Sequence, residues 1–189
     1  MKLDPKKTAV LSLDVQEGLF GFHPAAKSIL PNAALVIDAA RKGGFSIYHV
    51  GIGFEPGYPE ISATNKRFMT VKEKGLFIKG SESTNVDASI FKPGDMVIYK
   101  HRVGAFAGNA LQMILRSRGI ENLVLFGIST SGIVLSTVRL ASDLDFQCYV
   151  VKDACFDPDP EVHKVLTEKV FAAQTIVCTA KEFQILSQG

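Results

Sequence analysis

Two ionisable side chains stand where apolar runs stop. Asp14 closes the run Thr8-Ala9-Val10-Leu11-Ser12-Leu13, and Lys100 closes Asp95-Met96-Val97-Ile98-Tyr99. A third run, Asn122 to Phe126, leads into the turn Gly127-Ile128-Ser129-Thr130-Ser131, ahead of a helical stretch that starts at Ile133. A carboxyl group and an ammonium group at one sheet edge make a proton-handling pair. A Gly/Ser/Thr turn before a helix adds open N–H groups. This turn contains no cysteine, histidine or carboxylate. A serine in it needs a base to become a nucleophile, and no histidine in the motif is placed to serve. Ser129, Thr130 and Ser131 therefore read as turn and capping residues.

For these groups to meet, the strands must be parallel neighbours. The expected strands are Thr8–Leu13, Phe45–Val50, Asp95–Tyr99, Asn122–Phe126, Gln147–Val151 and Thr175–Cys178. Helical patterns over Pro31–Lys42, Asn109–Arg118, Ile133–Asp145, Asp159–Ala173 and Lys181–Leu186 separate most of them. The strands are continuous apolar runs, the mark of a parallel sheet buried on both faces. Right-handed crossovers then bring all carboxyl ends to one edge, so Asp14, Lys100 and the 127–131 turn converge. One stretch, Gly51 to Gly94, reads as a long irregular connection, of a length usually tied to function or to short elements of its own.

Bulk properties narrow the rest. The 189 residues suit one domain over 1–189 with a substantial core, and 47% hydrophobic residues with a net charge of +2 describe an ordinary globular chain. Scattered Lys and Arg give no nucleic-acid footprint. No apolar run reaches the ~18 residues of a membrane span, and MKLDPKKTAV reads as no secretory leader, since the run after it breaks at Asp14. Cys148, Cys155 and Cys178 are odd in number and lack metal-type spacing, which suits a reducing cytoplasm.

The ordered motifs are LDVQEGLF (13–20), KHRVGAFAGN (100–109), GISTSGIV (127–134) and VKDA (151–154). Together they resemble the isochorismatase-like, or cysteine hydrolase, superfamily over nearly the whole chain. The resemblance implies a three-layer α/β/α, Rossmann-like fold around a six-stranded parallel sheet, and self-association as dimer or tetramer. It implies a non-proline cis peptide at Ile128–Ser129, with Ile128, Ser129 and Thr130 forming the oxyanion turn. In the amidase branch a cysteine nucleophile occupies the position of Ile133, just inside the helix N-terminus, where thiolate is favoured. An isoleucine cannot attack a carbonyl, so that acyl-enzyme chemistry is excluded here.

Isochorismatases also lack the cysteine and hydrolyse a vinyl ether. The resemblance then makes Asp14 the acid, with Lys100 and Gln16 ordering the site. Phe20 and Phe106, with Phe54 and Tyr58, are expected to wall the pocket, beside Ser129 and Ile133. Arg102 or Arg67 is expected to pair with a substrate carboxylate. No metal is expected, because His49 and Glu55 make a poor transition-metal site; no other cofactor is expected. Asp157, Asp159 and Glu161 match no calcium loop and read as helix capping. The expected protein is a cytoplasmic hydrolase of a small acidic or enol-ether metabolite. Two alternatives stand beside it: a catalytically silent ligand-binding or interaction protein, and an amidase whose nucleophile has moved to Cys155, a residue otherwise read as a buried inert thiol.

Overall fold

The computed structural model describes residues 2–188. Its strands are β1 (Thr8–Leu13), β2 (Ser46–Ile52), β3 (Met96–Lys100), β4 (Asn122–Gly127), β5 (Gln147–Val151) and β6 (Ile176–Cys178). They form one parallel sheet of order β3-β2-β1-β4-β5-β6. Every residue of β1 is buried, as are Leu123 to Gly127 in β4, while both edge strands are half open. That gradient is what a sheet covered on both faces produces. Chain order runs outward in both directions from β1 and β4. A crevice therefore opens beyond their carboxyl ends, where open α/β sheets bind ligands.

The helices are α1 (Glu17–Phe22), α2 (Leu30–Gly43), α3 (Lys66–Glu73), α4 (Leu111–Ser117), α5 (Leu135–Asp143), α6 (Pro160–Val165) and α7 (Ala180–Leu186). Gly44, left-handed at φ 75°, stops α2. Asp159 caps α6, its carboxylate accepting from the N–H groups of Glu161 and Val162 at 2.9 and 3.2 Å. Asp159 thus caps as the sequence suggests, while Asp157 accepts from Ser131 N–H at 2.7 Å instead.

Some expected boundaries shift, for local reasons. β2 runs on to Ile52, because Gly51 and Ile52 pair with Tyr99 and Lys100. Gly51 is needed inside the strand, since a Cβ there would lie 2.5 Å from the Gln16 amide. α1 carries no helical signature in the sequence, because EGLFGF is short and holds two glycines. The stretch expected to begin a helix at Ile133 starts earlier, as a π-turn over Thr130–Val134 that leads into α5. The helix expected over Asp159–Ala173 relaxes into π and 3₁₀ geometry after Val165.

The long connection after β2 is ordered by an apolar cluster of its own. Phe54, Tyr58, Phe68 and Phe77 are buried there with Ile61 and Val71. Asn65 caps α3, and a 3₁₀ turn at Glu82–Thr84 closes the excursion. This lobe sits beside the main core and supplies one wall of the crevice.

Beneath the crevice, His49 bridges Ser12 (2.8 Å) and Asp95 (3.2 Å), and Asp95 also pairs with Arg41. The order Ser–His–Asp invites a catalytic reading. Ser12 and His49 are each 1% exposed within central strands, however, so substrate has no access to them. The network is a strut. Burial holds the His49 imidazole below its ordinary pKa, against the opposing pull of Asp95. The unfolded chain therefore binds the extra proton first as pH falls below about 6.5. Between pH 7 and pH 5, His49→Gln is expected to lose less stability than the wild type, measured by urea unfolding at both pH values.

Candidate active site

Asp14 follows β1 in a left-handed conformation, φ 56°, which Asp tolerates better than most side chains. Its N–H donates to the Val50 carbonyl at 2.8 Å, which fixes the bend. Lys100 ends β3, two strands away, a span of about 10 Å. Only a long side chain crosses the end of β2, and Lys100 does so. Its Nζ lies 2.9 Å from Asp14 Oδ2 and donates to the Arg102 carbonyl at 3.0 Å. Asp14 and Lys100 are 4% and 1% exposed. The other carboxylate oxygen, Asp14 Oδ1, is buried with no hydrogen-bond partner.

Burial works against both charges of this pair. It raises the Asp14 pKa, while Lys100 and then Arg67 pull it down without cancelling the rise. It lowers the Lys100 pKa, opposed by Asp14 and reinforced by Arg67. Burial thus favours the neutral pair relative to the ion pair, and the attraction between the two charges opposes it.

The pair forms the floor of a cavity of about 50 Å³. Polar side chains on its wall are Arg67, His23 and Ser129; apolar ones include Leu19, Phe68 and Ile133. The Ile128–Ser129 peptide is cis. The turn is held from behind: the Phe156 carbonyl accepts from Thr130 N–H at 2.8 Å, and the Asp157 carboxylate accepts from Ser131 N–H at 2.7 Å.

Asp14, Lys100, Ile128, Ser129 and Ile133 meet around this cavity as the sequence indicates. Seven other expected contacts do not. Gln16 spends its amide on backbone, donating to the Ile52 and Thr84 carbonyls and accepting from Ile52 N–H, so it ties three segments together instead of touching substrate. Phe20 is packed into the core under the Lys27 ammonium. Phe106 stacks on Phe146 at 6.2 Å. Arg102 is exposed, and its guanidinium donates to the Glu60 and His101 carbonyls. Thr130 is buried against His163, 2.8 Å away. Phe54 and Tyr58 belong to the neighbouring apolar cluster. Cys155 is off the wall, with burial pushing its thiol up to about 12; the relocated-nucleophile reading fails on both counts. Among the described residues no group of three or more His, Cys, Asp or Glu is arranged to hold a metal ion. His49 is turned to Ser12 and Asp95, and Glu55 pairs with Lys79.

The α3 wall was the part hardest to foresee. Phe68 and Val71 stand three apart and face the lobe's core. That spacing after a capping Asn is the one sequence signal that marks a helix here. It leaves Arg67 beside the turn: a Cβ built on Gly132 would lie 3.5 Å from its Nη2.

Residues 8–182 match the family model described as the isochorismatase domain. This chain belongs to the isochorismatase family. The isochorismatase family protein YwoC of Bacillus subtilis is 30% identical over 189 residues, covering 97% of this chain and 95% of that protein. A cysteine hydrolase from Pseudomonas syringae pv. phaseolicola 1448A superposes with a TM-score of 0.88 at 16% identity, over 100% of this chain and 95% of the other, a likeness of fold. N-carbamoylsarcosine amidase from Thermoplasma acidophilum gives a TM-score of 0.73 at 27% identity, over 92% and 96% of the two chains. The sheet of this family member has the six parallel strands that its motifs imply.

Ile133 lies in the first turn of the helical segment that begins at Thr130, next to the Asp–Lys pair. Ile133→Cys is expected to create a thiol that iodoacetamide alkylates at pH 7 at least about tenfold faster than the native cysteines. Burial holds all three native thiols at about 12. Peptide mapping after timed alkylation checks this, and equal rates would show that the turn does not favour thiolate.

Proposed function

We propose that this isochorismatase-family chain is a hydrolase that works without a side-chain nucleophile, on a small acidic enol ether. The observation that carries the reading is Asp14 Oδ1: buried, unpartnered and part of a carboxyl group on the cavity wall whose pKa burial raises. Such an oxygen is suited to hold a proton and to hand it over. Asp14 protonates the methylene carbon of the enol ether, and the C=C electron pair forms the new C–H bond. Water adds to the resulting oxocarbenium carbon and returns its proton to the Asp14–Lys100 pair. The hemiketal then collapses: its hydroxyl proton passes by way of the Asp14–Lys100 pair to the departing oxygen, the C–O bond to the leaving alcohol breaks, and a keto acid forms. Arg67 holds the substrate carboxylate, and Ile133 offers an inert surface where a nucleophile would trap the intermediate.

The test is pyruvate release from 2-methoxyacrylate, the simplest enol ether of pyruvate, by wild type and by Asp14→Asn. Wild-type release that drops at least about 100-fold in the variant supports the assignment. Release unchanged in Asp14→Asn, with the fold checked by circular dichroism, overturns it. Saturable binding with no pyruvate favours a silent ligand-binding protein instead.

A further inference from the structure

The size and charge of the cavity restrict what it takes. Its volume is about 50 Å³, room for roughly three to five water-sized groups. A carboxylate with one to three further carbons fills that space. A six-membered ring with its carboxylate is bulkier than that space. The walls that set the limit come from three elements: Leu19 on α1, Phe68 on α3, and Ile133 in the π-turn. Phe68 is 3% exposed and Ile133 2%, so neither is a loose surface side chain.

Charge gives a second, independent restriction. Asp14 and Lys100 sum to zero whichever of them holds their shared proton. Arg67 forms no ion pair among the described residues, yet its charge acts on both members of that pair. It is the guanidinium on the wall, beside the paired Asp14 and Lys100. One guanidinium neutralises one carboxylate. A second carboxylate would face buried Asp14 with no second guanidinium to pair with, at a high desolvation cost.

We propose that the site selects compact monoanions of two to four carbons, with Leu19 and Phe68 as the size gate and Arg67 as the charge gate. Ring dicarboxylates are thereby excluded as substrates. For its substrate chemistry the inference rests on the hydrolase reading, but its test reads binding and needs no turnover.

The experiment is isothermal titration of the full chain with pyruvate and oxamate (compact monoanions), malonate (a compact dianion), and benzoate and nicotinate (ring monoanions). Pyruvate or oxamate is expected to bind saturably, at least about tenfold tighter than malonate, benzoate or nicotinate. Arg67→Gln is expected to weaken the compact acids about tenfold or more. Leu19→Ala is expected to admit benzoate while weakening pyruvate a few-fold; Leu19 is only partly buried, so this variant keeps its fold. Phe68→Leu provides a second opening of the same wall. Ring acids bound by the wild type as tightly as the compact ones overturn the size gate. Compact-acid binding indifferent to Arg67→Gln overturns the charge gate, and no binding of either compact acid overturns both. Compact acids that bind to a protein releasing no pyruvate from 2-methoxyacrylate would leave this inference standing and remove the hydrolase reading.

Discussion

Gly127→Ala is expected to destabilise the protein by about 4 kcal/mol or more, the sum of backbone strain and overpacking at one central residue. Gly127 ends β4 at φ 146°, in a region that L side chains rarely adopt. An added Cβ would lie 1.9 Å from the Leu13 carbonyl oxygen and 2.7 Å from its carbon. These are main-chain atoms of β1, so no rotamer change relieves the clash. The two strands would have to part where Leu13 and Gly127 pair. Typical domains have only about 5–15 kcal/mol in hand. A thermal melt should show a midpoint lowered by at least about 8 °C. A shift under about 3 °C would mean that the β1–β4 junction gives way more easily than its packing indicates.

The second large effect separates the two members of the buried pair by the sign of their pH dependence. Lys100→Met removes the cation that opposes the rise of the Asp14 pKa. With burial then dominant, the folded variant keeps its proton to higher pH than the unfolded chain, whose carboxyl titrates near 3.9. The folded state binds more protons across that window, so stability falls as pH rises, at up to about 1.4 kcal/mol per pH unit. Stability is therefore expected to be lower at pH 7 than at pH 5. Asp14→Ala does the reverse. It leaves the Lys100 ammonium buried, with its pKa lowered by burial and by Arg67. The unfolded chain binds the proton more readily, so stability rises with pH toward the free lysine value near 10.4. At neutral pH this variant should lose about 3–5 kcal/mol. Urea unfolding of both variants at pH 5, 7 and 9, beside the wild type, reads the slopes. Slopes of the same sign would show that the pair is not isolated from water.

Much of the fold was legible because its signals are local. Continuous apolar runs such as Leu123 to Phe126 leave few options besides a buried parallel strand, and Gly43-Gly44 marks the end of α2 within one residue. α1 and α3 were not legible as helices. Each is short, and each is stabilised by what it packs against rather than by its own periodicity. The same holds for Gln16, whose polar side chain beside Asp14 suggested substrate contact. Its three backbone partners, in β2 and the 82–84 turn, are far away in sequence.

The sequence by itself determined the chemistry available at the sheet edge: a carboxyl, an ammonium, a Gly/Ser/Thr turn, and no nucleophile at Ile133. Residue identity carries that information, and packing cannot alter it. Tertiary structure alone decided which side chains share the cavity. Arg67 and Arg102 are equivalent as sequence, yet α3 brings Arg67 to the wall while Arg102 is spent on backbone carbonyls outside. It also decided the balance between burial and charge pairing at Asp14 and Lys100. That depends on how completely two side chains from strands 86 residues apart (100 − 14) are withdrawn from water, and desolvation is a property of the assembled core, not of any local stretch of chain.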